Sequence, residues 1–293
     1  MSMMKRTYTC LAAGILAFTL CMGSMAEEPT RILFLSKSSG FEHSCIRWEE
    51  GKPSHVDGVL EELAAQINAE VTSTKDASTI NAENLENYDV VIFYTTGDLT
   101  EEGNDGHPPM REEGLDELLA WVRNGGGLLG FHSASDTFHR NANPHAPESP
   151  FLEMLGGEFL THGPQFMGRL ITVSTEHPTM EGIPEDWEIH DEWYCFEHLS
   201  EDRMHVLALL DSREQRELQL RHNLPNYPII WCSSEGDGRV YYNAMGHRED
   251  VWDNETFQRM VTNAINWAKG DGPTMTEPNY AEHMPISIKP VGR

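Results

Sequence analysis

The residues of this chain that could carry chemistry gather in a few short polar runs, and histidine is their common member. "SKSSGFEHSCI" (36–46) contains His43, "HSASDTFH" (132–139) contains His132, Asp136 and His139, and "GHRED" (246–250) contains His247 and Asp250. Each of these three follows an apolar stretch. A fourth run, "HDEWYCFEH" (190–198), brings His190, Asp191, Glu192 and His198, while His162 and His177 sit in "GGEFLTHGP" and "STEHPTM". Neutral imidazoles with a carboxylate are the usual shell of a catalytic zinc or similar divalent ion that keeps one position open. The chain has no HExxH or comparable local spacing, so such a shell has to be assembled by the fold. A lone histidine is ordinarily a hydrogen-bonded loop or core residue. Recurrence at strand ends is what singles out His43, His132 and His247 as candidate metal or oxyanion contacts.

The run "GGGLLGFHSASDTFH" (125–139) also invites comparison with the nucleophile elbow, a strand-to-helix turn that exposes a serine or cysteine. The tip of the turn falls on His132, which is no acyl-transfer nucleophile in that setting. Ser133 and Ser135 are offset from it, so a hydrolase acting through either serine is the weaker reading.

The elements that must position these residues are legible in the hydrophobic pattern. "RILFLS" (31–36), "DVVIFYTT" (89–96) and "LLGF" (128–131) are continuous apolar runs that suit buried strands. Between them, Val56, Val59, Leu60, Leu63 and Ile67, and then Leu115, Leu118, Leu119 and Val122, recur at helical spacing. The second of these helices carries its acidic residues early, as the helix dipole favours, and ends at Gly125–Gly127. This rhythm predicts an α/β fold with a mostly parallel sheet and helices on both faces. Later strands at 168–174, 205–210, 228–232 and 238–245 have no long helices between them, which predicts an antiparallel extension. A last helix over about 255–268 buries Phe257, Met260, Val261, Ala264 and Ile265, and residues 271–293 read as an extended, proline-rich tail. In a parallel sheet His43 and His132 emerge at the carboxyl edge, where ligands bind. His247 joins them only if its strand runs parallel.

Residues 1–26 read as a secretory signal. Lys5 and Arg6 precede the short apolar segment Leu11 to Met22, and Ser24-Met25-Ala26 supplies a small-residue cleavage site. The apolar segment is too short to span a bilayer as a stable helix, so the mature protein is expected to have no integral membrane segment and to be periplasmic or secreted. The formal charge of −26 becomes two units more negative once Lys5 and Arg6 leave. Such a surface repels phosphate backbones, which argues against nucleic acid as a partner. Cys45, Cys195 and Cys232 show no CxxC spacing, which leaves room for one disulfide but indicates neither a disulfide framework nor a zinc ribbon.

Five segments taken together resemble the ThuA-like family, named for trehalose utilisation. They are "SSGFEHSCI", "GGGLLGFHSASDTF", "MLGGEFLTHGP", "EHPTMEGIPEDWEIHDEWYCF" and "GRVYYNAMGHREDVWDNETFQRMVTNAINWAKG". They span nearly all of residues 27–270, which are expected to form one domain. The resemblance implies a flavodoxin-like three-layer sandwich, similar to class I glutamine amidotransferases, with His132 where those enzymes have their cysteine. Glutaminase activity is therefore not implied. The sequence departs from the family at Gly163, where proline often follows the histidine. Family members commonly accompany sugar oxidoreductases, which points to 3-keto glycosides or related sugars as substrates. On that reading a divalent ion stabilises the enediolate of the keto sugar. Glu192 or His162 acts as general base, and Asp136 orients His132. The competing reading is a non-catalytic sugar-binding module in which Trp193, Tyr194, Trp231 and Trp252 stack on sugar rings.

The leader supplies the first prediction. Protein recovered from its native host should begin at or near Glu27 and carry no lipid; a diacylglyceryl group on Cys21, seen by intact mass, would contradict this.

Overall fold

The computed structural model of this chain describes residues 28–139, 149–211 and 226–284. The expected signal segment lies outside them. Eleven strands are present among the described residues. They are β1 (Thr30–Leu35), β2 (Ala69–Thr74), β3 (Val90–Phe93), β4 (Gly127–Phe131), β5 (Glu158–His162), β6 (Phe166–Thr172), β7 (Asp186–Asp191), β8 (Tyr194–Glu197), β9 (His205–Asp211), β10 (Asn226–Glu235) and β11 (Gly238–Asn243). Nine of them form one sheet in the order β2-β1-β3-β4-β11-β10-β9-β6-β7, and β5 pairs with β8 in a separate ribbon.

The sheet divides at β11. From β2 to β11 all neighbours are parallel, and from β11 to β7 every neighbour is antiparallel. Both the parallel half and its antiparallel extension match the sequence reading. Four alternations after β11 return the direction to its starting sense, so β7 also delivers its last residue to the carboxyl edge of the parallel half. β11 itself is parallel to β4, with Asn243 opposite Phe131, which satisfies the condition set for His247.

The helices are α1 (His55–Gln66), α2 (Ala82–Leu85), α3 (Gly114–Arg123), α4 (Pro150–Leu155), α5 (Glu249–Trp252), α6 (Glu255–Ala268) and α7 (Tyr280–His283). α1 starts at a reciprocal capping box, in which the Ser54 hydroxyl accepts from the Asp57 amide and the Asp57 carboxylate accepts from the Ser54 amide. The expected apolar faces are buried: Val56, Leu60 and Leu63 on α1, Leu118 and Val122 on α3, and Phe257, Met260, Val261, Ala264 and Ile265 on α6. Gly127 of β4 lies against the Ala268 carbonyl of α6, and Gly130, on the opposite face of the same strand, lies against Leu155 of α4. Helices therefore cover both faces, and the sandwich has three layers. Among the described residues no helix is long and apolar enough to cross a membrane. Cys45, Cys195 and Cys232 are all buried, and none of them is in a disulfide.

The chain beyond α6 is strapped to the sheet. Arg239 donates to the carbonyls of Asp271 and Gly272. The Asn279 side chain accepts from the Val206 amide and donates to the Val206 carbonyl, as a neighbouring strand would. His177 is buried nearby, beside His205 and Trp267. Its Nδ1 accepts from the Thr179 amide at 3.2 Å, so the ring is held as the Nε2–H tautomer.

Burial first, and the His205 ring second, push the His177 pKa down to about 4. The unfolded chain takes up this proton near pH 6.5 and the folded one does not until about 4. Stability should therefore fall with acidification through that window, by on the order of 3 kcal/mol from this residue. Denaturant unfolding between pH 7.5 and 4.5 should show a shallower loss for His177→Asn than for the parent; equal slopes would contradict the assignment.

Candidate metal centre at the carboxyl edge

Five polar side chains reach one place from five separate segments. His43 follows β1, His132 follows β4, Glu192 follows β7, His247 follows β11, and His162 ends β5. The metal-binding atoms of His43, His132, Glu192 and His247 all lie within 4.8 Å of one another. His132 Nε2 is 3.3 Å from His247 Nδ1 and 3.6 Å from Glu192 Oε2, and His247 Nδ1 is 3.2 Å from the same oxygen. The rings of His43 and His132 stand edge to face with centroids 4.9 Å apart, and His43 meets His247 in the same way at 5.0 Å. The three histidines expected to act together are thus brought together.

The backbone at His132 explains how a strand end delivers this ring. His132 has φ +43°, a left-handed conformation that costs a non-glycine residue about 1–3 kcal/mol. It is the sharp turn of an elbow, running from β4 into a single 3-10 turn over 132–136. Two hydrogen bonds hold it. The Tyr242 hydroxyl donates to the His132 carbonyl at 2.7 Å, and His132 Nδ1 donates to the Ala244 carbonyl at 2.8 Å. With its proton fixed on Nδ1, the ring presents the Nε2 lone pair to the cluster.

This geometry corrects two expectations. Asp136 does not orient His132: that role belongs to the Ala244 carbonyl, and Asp136 instead faces His139, with 3.6 Å between Oδ1 and Nε2. The Nδ1 proton of His132 is already taken by the Ala244 carbonyl, which leaves Asp136 no ring proton to hold there. Nor is His132 at an exposed loop tip. It is fully buried, with the Tyr194 ring of β8 packed on it at 4.1 Å.

His247 is placed by the peptide before it. Gly246 has φ +113°, and a Cβ there would lie 3.0 Å from Trp252 Nε1. Its carbonyl accepts from Tyr94 Oη and Trp252 Nε1, both at 2.9 Å, and from the Cys45 thiol at 3.5 Å. Its amide donates to Asp191 Oδ2 at 2.7 Å. Asp191 and Tyr94 are buried, and sequence reasoning assigned neither a role. The signals available were that Asp191 adjoins Glu192 and that Tyr94 lies near the end of the predicted strand 89–96.

The electrostatics follow from crowding. Burial, then the charges of His132 and His247, hold the His43 pKa well below its ordinary value. Burial alone would raise the Glu192 carboxyl, but the adjoining His132 and His247 imidazoles, which favour an anion beside them, keep it well below the usual carboxylate range. Burial likewise opposes protonation of His247, and its bond to Glu192 outweighs that and raises the pKa. Burial pushes the Asp191 carboxyl up. The site thus pairs a firmly ionised carboxylate with imidazoles whose protonation states differ.

His162 sits at the rim, with its side chain about half exposed. Its Nδ1 lies 3.0 Å from both the Gly163 carbonyl and Glu192 Oε1. Both partners only accept, so Nδ1 carries the proton and Nε2 is left with a lone pair. Glu192 therefore faces the cluster with one oxygen and orients His162 with the other.

The remaining candidates lie elsewhere. His198 is beside Glu197 at 3.9 Å, Asp250 pairs with Arg248, and His190 lies across from Met167 on β6. Ser133 and Ser135 are fully buried, and Ser135 is bonded to the Tyr242 hydroxyl, so neither is an accessible nucleophile. Trp193, Tyr194, Trp231 and Trp252 are core residues, at most 4 % exposed, and offer no open face to a sugar.

Comparison with known proteins places this architecture. The chain resembles the structure of a thua-like protein from Bacteroides uniformis, with 23 % identity over 84 % of this chain and 94 % of that one, at a TM-score of 0.62. A thua-like protein from Parabacteroides merdae gives 16 % identity, 85 % and 92 % coverage, and a TM-score of 0.63. A cytoplasmic protein of Salmonella typhimurium LT2 gives 15 % identity, 82 % and 99 % coverage, and 0.56. At these identities the likeness is one of fold. No curated protein matches the chain. The family model described as ThuA, trehalose utilisation, matches residues 31–268, and the chain belongs to that family.

Proposed function

We propose that this protein is a carbohydrate-processing enzyme in which His43, His132, Glu192 and His247 hold a divalent cation, zinc or similar, beside a basic His162. The observation that carries the reading is the inward convergence of those four donor groups. Donor atoms around a tetrahedral zinc with bonds of 2.0–2.1 Å are about 3.3 Å apart, and the spacings among His132, Glu192 and His247 are 3.2 to 3.6 Å. His43 Nδ1 is buried without a hydrogen-bond partner, an expensive state for a polar atom unless a ligand completes it. The donor set, imidazole with one carboxylate, suits zinc or a similar ion.

The substrates we infer are 3-keto glycosides or related sugars, processed outside the cytoplasm. A ketone at C3 acidifies the proton on C2, and the cation, when bound, supplies Lewis-acid stabilisation of the charge that develops on the carbonyl oxygen. His162 Nε2 takes the C2 proton, and Glu192 Oε1 steadies the imidazolium through Nδ1–H. The electron pair left at C2 then either forms the C1–C2 double bond as the C1 oxygen departs, or is reprotonated to give an isomer. In the first outcome the departing oxygen takes up the proton from His162, and water adding across the new double bond completes hydrolysis. The Tyr194 ring on His132 and the ribbon of β5 and β8 shield the buried side of the site from water.

Because His132 is buried at positive φ, alanine there leaves a cavity. His132→Asn is the better test, since asparagine tolerates the left-handed region. The variant should stay folded and lose about a hundredfold to a thousandfold in turnover of a 3-keto disaccharide. Turnover and thermal unfolding are to be measured on the same preparation. A destabilised variant with undiminished turnover by its folded fraction would make His132 scaffold and remove it from the mechanism.

A further inference from the structure

Two large apolar side chains stand out in solvent among the described residues, Phe41 and Met167. Phe41 is 67 % exposed and lies two residues before His43, whose ring it meets edge to face at 5.0 Å. Its neighbours are the opposite of loose. The Phe41 carbonyl accepts from the Thr96 hydroxyl at 2.9 Å, and the amides of Ser39 and Gly40 both donate to the Thr96 carbonyl. Asn104 donates to the Gly40 carbonyl, and Glu42 is held by Arg47 and by the buried Lys75. Gly97 adopts φ +73°, and a Cβ there would come within 2.7 Å of the Gly40 amide, so the loop is seated closely on the end of β3. The backbone is fixed on both sides, yet the aromatic ring is held in water at the mouth of a polar site.

A pinned loop that spends an exposed aromatic ring beside the centre is built for a ligand with an apolar face. The strongly negative chain disfavours an anionic one. A pyranose ring meets both requirements, because it is neutral and presents C–H groups on one face. We propose that Phe41 is the platform for the second ring of a neutral glycoside whose first ring occupies the histidine centre. The substrate class is then a disaccharide or larger glycoside, not a monosaccharide. This rests on the carbohydrate reading above and assigns to Phe41 the stacking role that the buried tryptophans do not fill.

The test is equilibrium binding of two probes, methyl 3-keto-α-glucopyranoside with one ring and 3-keto-trehalose with two. Wild type, Phe41→Ala and Phe41→Trp are titrated by calorimetry in the cold, with turnover followed separately. Phe41→Ala should weaken the two-ring probe about tenfold, leave the one-ring probe within about twofold, and leave thermal stability unchanged. Phe41→Trp should restore two-ring affinity. Equal weakening of both probes, or of neither, would overturn the platform. If wild type binds neither probe, the carbohydrate reading fails and the platform with it. If it binds both without turning them over, only the proposed chemistry fails, and the two-ring difference still decides the platform.

Discussion

The Glu192 carboxylate, buried against His132 and His247 and bridged to His162, is the interaction on which the rest of the site depends. Three imidazoles packed in a space under 5 Å across would repel one another once protonated, and burial makes each charge dearer still. A single anion among them changes that balance. It can be satisfied by protonating one ring, as the raised His247 pKa records. It can equally be satisfied by a shared cation, which would use every inward lone pair. The second solution also explains why His43, whose neutral form is so strongly favoured, points an unpartnered nitrogen into a dry place.

The scaffold serves that constraint through strained but over-determined turns. His132 accepts a left-handed backbone because Tyr242 and Ala244 hold both its carbonyl and its ring. Gly246 occupies a conformation open to glycine because three donors converge on its carbonyl and a buried aspartate accepts from its amide. The strands β1, β3, β4 and β11 lie side by side, so Phe41, His43, Tyr94, His132 and His247 follow consecutive positions across the sheet. The ribbon of β5 and β8 then closes over them, bringing His162 and Tyr194 opposite each other.

Much of this was readable in the chain, and the failures have physical causes. Apolar runs marked β1, β3 and β4 because buried parallel strands need no polar face. β2 escaped notice because it is an edge strand, where "AEVTST" alternates partly buried and exposed residues and never forms an apolar run. The convergence of His43 and His132 followed from strand direction alone. That of Glu192 could not, because it depends on four antiparallel pairings that return β7 to the same edge. Asp136 looked like a partner for His132 by proximity in sequence, but the Ala244 carbonyl takes the ring proton and Asp136 faces His139 instead. His132 looked exposed because nothing in its own segment announces that β8 will lie on top of it.

The central claim is that the four inward donors hold a metal. It is tested most directly by X-ray absorption on protein purified without chelator and reconstituted with one equivalent of zinc. The account predicts one tightly held ion per chain, with a first shell of three imidazole nitrogens and at least one oxygen at about 2.0–2.2 Å. It also predicts loss of the carboxylate oxygen from that shell in Glu192→Ala. Zinc that washes out on dialysis, or a shell lacking the imidazole signature, would contradict it and leave the cluster as a proton-linked hydrogen-bond network.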